Sequence, residues 1–165
     1  MAFKLLKIYV NYEEVRMNKK GFTLIELLIV VAIIGIVAAI AIPNLLTALQ
    51  KGKQKATMGD MKSIGTAVES YMTDISLAPA TIPSGAVYLV PFHIKKMPLG
   101  DGWGNNWFYA RDATQLDIYS IGSAGRDGAM GAWSQVGTYI VDSLTDFNND
   151  IIFSNGTFVW GPQTK

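Results

Sequence analysis

The chain has 165 residues, half of them hydrophobic, with a formal net charge of +1 and no cysteine. That leaves room for one soluble core besides a membrane span, and it excludes a disulfide framework, a thiolate metal site and a cysteine nucleophile. Five of the 14 basic residues and two of the 13 acidic ones lie in Met1–Gly21; the nine and eleven left elsewhere sum to −2, which gives no reason to expect strong binding to nucleic acid or anionic lipid.

The chain opens with Lys4, Lys7, Arg16, Lys19 and Lys20, and then becomes apolar. From Phe22 to Ala41 only Thr23 and Glu26 are neither apolar nor small. About 20 residues at about 1.5 Å each cross a hydrocarbon core of ~30 Å, so the run reads as a transmembrane helix. An ordinary secretory signal peptide does not fit: the run is too long, no small-residue cleavage site follows it, and the basic pair sits directly against its start. Basic residues before the helix place its amino-terminal end in the cytoplasm, although Lys51, Lys53, Lys55 and Lys62 beyond it reduce the contrast. Glu26 is the odd member. A carboxylate in the first turns of a membrane helix either sits shallowly enough to reach water or has a partner.

Gly21-Phe22-Thr23-Leu24-Ile25-Glu26 after Lys19-Lys20 resembles the cleavage and methylation signal of type IV pilins and type II secretion pseudopilins. The resemblance implies that a prepilin peptidase cuts between Gly21 and Phe22 and methylates the new amino terminus on Phe22. It also implies filament assembly through the helix, in which Glu26, buried among apolar helices, meets the cleaved amino terminus of a neighbour; Thr23 and Pro43 belong to the same assembly segment. A helix apolar all round suits lipid first and other copies of itself afterwards. Met1–Arg16 is longer than the leader usual in such proteins, whereas Met17-Asn18-Lys19-Lys20-Gly21 has the usual length. Glu13-Glu14-Val15 is moreover what a purine-rich ribosome-binding sequence spells when translated, so a start at Met17 is the expectation, with a long leader as its alternative.

Pro43 removes an amide donor and disfavours helix at Ile42, which predicts a kink or local loosening. Met58, Met61, Ile64, Val68, Tyr71, Met72 and Ile75 then recur at spacings of three and four, the stripe of an amphipathic helix that a globular domain covers. Lys51, Lys53 and Lys55 read as a solvated or headgroup-level band, and Gly52, Gly59 and Gly65 as points of close packing. Pro79, Pro83 and Ser84-Gly85 end the helix. The single histidine, His93, has no Cys, Asp or second His beside it in sequence and reads as structural.

The Asp101-Gly102-Trp103-Gly104-Asn105-Asn106 segment predicts a tight turn, followed by a strand at Trp107–Tyr109, a turn at Asp112–Thr114 and an antiparallel partner strand at Leu116–Ser120. This stretch resembles the major pseudopilin, which has an Asp-Pro-Trp-Gly-Asn turn; here Gly102 replaces the proline. Farther on, Asp146-Phe147-Asn148-Asn149-Asp150 places oxygen side chains at alternate positions, a spacing that suits one hard cation or plain Asx turns. Ser123-Ala124-Gly125-Arg126-Asp127-Gly128 and Asp150-Ile151 are similar to the loop that holds calcium in major pseudopilins, with a longer intervening segment containing strand-like Tyr139-Ile140-Val141. The resemblance implies calcium bound by Asp127, Asp146, Asn148 and Asp150.

The expected class is α+β: a leader at 1–21, a long helix at 22–78 that spans the membrane in its first half, and a domain at 79–165 with a small antiparallel sheet. The resemblance implies a non-enzymatic filament subunit of the bacterial inner membrane, its carboxyl-terminal domain periplasmic. Its implied partners are further copies, the membrane before assembly, minor pseudopilins and the assembly machinery, in a secretion pseudopilus or alternatively a surface pilus. Against a membrane-anchored enzyme stand one histidine, no cysteine, no phosphate-binding loop and no Gly-x-Ser-x-Gly elbow. A membrane-tethered binding module would use Trp103, Trp107, Trp133 and Trp160 as exposed aromatics.

Overall fold

A computed structural model describes residues 21–82, 88–131, 140–142 and 146–162. One helix, α1 (Leu24–Ile75), is followed by β1 (Phe108–Arg111), β2 (Tyr119–Ser123), β3 (Ile140–Asp142), β4 (Ile151–Ser154) and β5 (Thr157–Pro162). The contacts divide the chain into two compact units, Met1–Ile40 and Ala41–Lys165. In the first, the described residues are apolar helix with exposed side chains: Leu24, Ile25, Leu28, Val31 and Ile36 are all more than 60% exposed. Such a surface needs lipid or other protein around it.

The second unit is organised on the carboxyl-terminal half of α1. Met58, Met61, Ile64, Ala67 and Val68 are buried, and with Tyr119, Ile121, Ile151 and Phe153 they form the core. The three-and-four spacing therefore marks the covered face as expected, down to Tyr71 and Met72, which are partly buried; Ile75 is exposed. The helix runs through Pro43 without interruption, so the expected loosening does not break it; Thr47 Oγ1 donates to Pro43 O at 3.0 Å just beyond. It stops three residues before the expected end. Ser76 takes a left-handed φ of 64° and its N–H donates to Met72 O at 2.7 Å, terminating the helix before Pro79 is reached.

Of Gly52, Gly59 and Gly65, Gly65 is the one that packs: a Cβ there would collide with the Phe153 ring, whereas Gly52 and Gly59 face open space. Gly102 is the second close approach. Its N–H donates to Thr57 Oγ1 at 2.9 Å and its Cα lies against the Lys53 carbonyl, where a side chain would clash. Proline there would lose that hydrogen bond, which accounts for the glycine in this chain.

The sheet has five strands in the order β1-β2-β4-β5-β3. β1–β2, β2–β4 and β4–β5 pair antiparallel, which gives the small antiparallel sheet expected from the sequence. A short strand, β3, extends it at one edge by pairing parallel with β5. β1 and β2 both start later than expected, after Trp107 and Ile118. Trp107 turns its indole N–H to Pro98 O at 3.0 Å, and Ile118 N donates to Gln115 O within the turn. The β4–β5 hairpin, not among the expected strands, closes on Asn155 (φ 44°) and Gly156 (φ 83°). An Asn-Gly pair between apolar runs is the standard sequence signal for that turn.

Candidate functional site: a capped apolar helix and a pair of loops

At the start of α1, Thr23 and Glu26 cap one another. Thr23 N donates to Glu26 Oε2 at 2.8 Å, Thr23 Oγ1 donates to the same oxygen at 2.7 Å, and Glu26 N donates to Thr23 Oγ1 at 3.3 Å. This is a capping box, with its Thr-x-x-Glu spacing ahead of an apolar run. The first N–H groups of a helix have no intrahelical partners, and hydrocarbon supplies none, so a reciprocal cap suits an apolar helix better than an exposed end. Glu26 therefore has a partner within its own chain before any neighbour arrives. Gly21 and Phe22, the residues flanking the implied cleavage, lie immediately before the cap and outside the helix.

The two carboxyl-terminal loops lie side by side. Arg126 N donates to Phe147 O at 2.8 Å, Arg126 Nε to Asn148 Oδ1 at 2.9 Å, and Gly131 N to Asp150 Oδ2 at 2.8 Å. Gly125, at a φ of 63°, brings its Cα against the carbonyl oxygens of Phe147, Asn148 and Asn149, leaving no room for a Cβ. The juxtaposition of 123–128 with 146–150 that the resemblance implies is thus present.

The acidic side chains within it serve their own turns: Asp127 Oδ1 accepts from Ala129 N at 3.0 Å and Asp146 Oδ1 from Asn148 N at 3.1 Å. Among the described residues no three Asp, Glu or His side chains converge as a ligand group. The oxygens present are hard donors of the calcium type. Behind the loops, buried Asp101 accepts from Ser123 Oγ at 2.7 Å and from the N–H groups of Trp103 and Asn105, while Asn105 Nδ2 donates to Gly125 O at 2.6 Å. These residues tie the turn at 101–106 to the glycine-rich loop, a role that no local sequence pattern announces because the partners lie some 20 residues apart.

The expectation of exposed tryptophans is corrected at three positions. Trp103 is half-buried with its indole N–H on Gln50 Oε1 at 2.7 Å, and Trp107 is likewise half-buried and bonded. Both fasten loops to the body of the domain. Trp160, in β5, is half-buried as well. Trp133 and Tyr139 lie outside the described residues, as does the implied leader up to Lys20. Lys51, Lys53, Lys55 and Lys62 are exposed along α1, consistent with a solvated band.

A long amino-terminal helix, apolar in its first half and covered by a small sheet in its second, is a pilin-like architecture. Residues 16–42 match the prokaryotic N-terminal methylation motif, and residues 44–139 match the family described as type II secretion system (T2SS), protein G. The chain is 31% identical over 147 residues to the type II secretion system core protein G of Vibrio cholerae, covering 80% of this chain and 98% of that one. It is 31% identical over 140 residues to the protein of the same name from Pseudomonas aeruginosa, covering 75% and 97%. A shorter similarity, 51% over 57 residues, covers 34% of this chain and 26% of the type IV major pilin protein PilA of Myxococcus xanthus. The chain belongs to the type II secretion system protein G family.

Proposed function

We propose that this protein is the major structural subunit of a type II secretion pseudopilus: it is processed between Gly21 and Phe22, N-methylated on Phe22, held in the inner membrane by α1, and then polymerised through that helix. The amino-terminal end lies in the cytoplasm and the sheet domain in the periplasm. The observation that carries the reading is the coupling of a helix whose apolar first half is exposed, capped by Thr23 and Glu26, to a family match over most of the remaining chain. The role is structural rather than catalytic, and the partners are further copies, minor pseudopilins, the prepilin peptidase and the assembly machinery. Intact mass and amino-terminal sequencing of membrane and filament fractions test the processing step. N-methyl-Phe22 is expected, and recovery of Met1, Met17 or an unmodified Phe22 overturns it.

The similarity to the Myxococcus pilin favours a second reading, a surface type IV pilus. Deletion of the gene separates the two: loss of a pseudopilus subunit abolishes secretion of folded exoproteins, whereas loss of a pilus subunit abolishes surface fibres. Calcium is the ion proposed for the paired loops, supported by their adjacency and their oxygen donors. Asp127, Asp146, Asn148 and Asp150 would hold it together with backbone carbonyls, and it would neutralise their charge and lock the loops together.

A further inference from the structure

His93, isolated in sequence, is not isolated in the fold. Its Nδ1 lies 3.0 Å from Ser70 Oγ and its Nε2 lies 3.9 Å from Asp74 Oδ2. Ser70 and Asp74 are one helical turn apart on α1, so a rigid element presents both to the two nitrogens of one ring. The edge of the imidazole packs on Tyr71 with centroids 5.5 Å apart, and the backbone N–H of His93 donates to Leu89 O at 2.9 Å. Ring and backbone are therefore both fixed.

The 3.9 Å separation is too long for a hydrogen bond in any tautomer. When Nδ1–H donates to Ser70 Oγ, Nε2 turns an unshared pair toward a carboxylate oxygen, and two electron-pair donors face each other across a gap. A divalent ion satisfies both. Ligands at about 2.0–2.2 Å around a tetrahedral zinc stand roughly 3.4 Å apart, a distance that a small rotation of Asp74 reaches. The Asp74 side chain is 68% exposed and has room to rotate, while that of His93 is 12% exposed.

We propose that His93 Nε2 and the Asp74 carboxylate bind one divalent transition-metal ion of the zinc or copper class, with Ser70 as the positioning residue on Nδ1 and water completing the coordination. An imidazole–carboxylate pair selects such ions over calcium and magnesium, which prefer all-oxygen shells. A hydrogen bond to the other ring nitrogen fixes the ligating tautomer. The site is separate from the carboxyl-terminal loops and does not depend on the filament reading.

The chain has one histidine and no cysteine, so imidazole ligation reports on His93 alone. Full-length protein in detergent, stripped with chelator, is titrated with zinc chloride by calorimetry and with copper(II) by electron paramagnetic resonance. One ion per chain is expected, with a single imidazole nitrogen coupled to copper, and no competition from a large excess of calcium. Asp74→Asn, at a position whose side chain is 68% exposed, and His93→Gln should each abolish binding. Ser70→Ala should weaken affinity about 10–100-fold with an unchanged melting temperature, a split that a merely structural serine would not show. Absence of binding by the wild type, affinity unchanged in Asp74→Asn and His93→Gln, or an imidazole that responds to protons but not to zinc in nuclear magnetic resonance spectra would each overturn the proposal.

Discussion

Glu26 has two jobs that compete for one carboxylate. In the single chain it accepts from the N–H and O–H of Thr23, and in a filament it is proposed to meet the amine of a neighbour. A carboxylate has lone pairs enough for both, so the cap orients the acid toward a partner rather than excluding one. Glu26→Gln keeps an acceptor for Thr23 but loses the charge attraction, and is expected to insert in the membrane as well as wild type while failing to enter filaments, as read by shearing and sedimentation. Thr23→Val removes the hydroxyl on which the cap rests, at about 0.5–2 kcal/mol of helix-end stability. It should therefore slow assembly without abolishing it. Glu26→Gln subunits that assemble as well as wild type would disprove the charge-pairing role.

Asp112 shows the same chemistry at the turn between β1 and β2. The N–H groups of Gln115 and Thr114 hold its carboxyl below the usual carboxylate range. A depressed folded-state pKa contributes stability that is present above the unfolded value and lost as pH falls through the folded one. Asp112→Ala is accordingly expected to lower the melting temperature at neutral pH and to leave it unchanged in strong acid, where the wild-type carboxyl is protonated.

At the level of elements, the helix owes its register on the sheet to two glycines, Gly65 against Phe153 and Gly102 against the Lys53 carbonyl. Gly65→Ala pushes a methyl group into the Phe153 ring, and overpacking of that kind costs about 1–3 kcal/mol. Gly59→Ala, which faces open space on the same helix, should instead be neutral or stabilising through helix propensity. Thermal denaturation of the two variants side by side makes the comparison, and equal losses would mean that the close approach at Gly65 is not what seats the helix. The sequence discloses this helix almost completely, because periodicity is local. It discloses Glu26 as exceptional, while its cap with Thr23 emerges only in the structure. What it conceals is long-range: the Asp101–Ser123 and Asn105–Gly125 bonds, the parallel pairing of β3 with β5, and the Asp74–His93 approach join residues between 19 and 22 positions apart, and no local pattern encodes them.

For the molecule as a whole, the question is what keeps a sheet domain intact when a loop rich in glycine follows β2 and an acidic one precedes β4. Hydrogen bonds from Arg126 and Gly131 already join the loops, and they bring a cationic guanidinium to Asn148. Calcium would add to that closure by drawing Asp127, Asp146 and Asp150 together and neutralising their charge. An ion that binds only the folded state stabilises it by RT ln(1 + [L]/Kd), roughly 2.7 kcal/mol at about 100 times Kd. The protein is therefore expected to melt higher in calcium than in chelator, with magnesium a poor substitute because it sheds its water shell reluctantly. Asp127→Ala or Asp150→Ala should erase the difference, whereas Asp74→Asn, remote in sequence and on α1, should leave it intact. Coincident melting curves in calcium and chelator, with no ion detected by elemental analysis, would assign these carboxylates to turn formation and leave the Arg126 bonds as the closure of the loops.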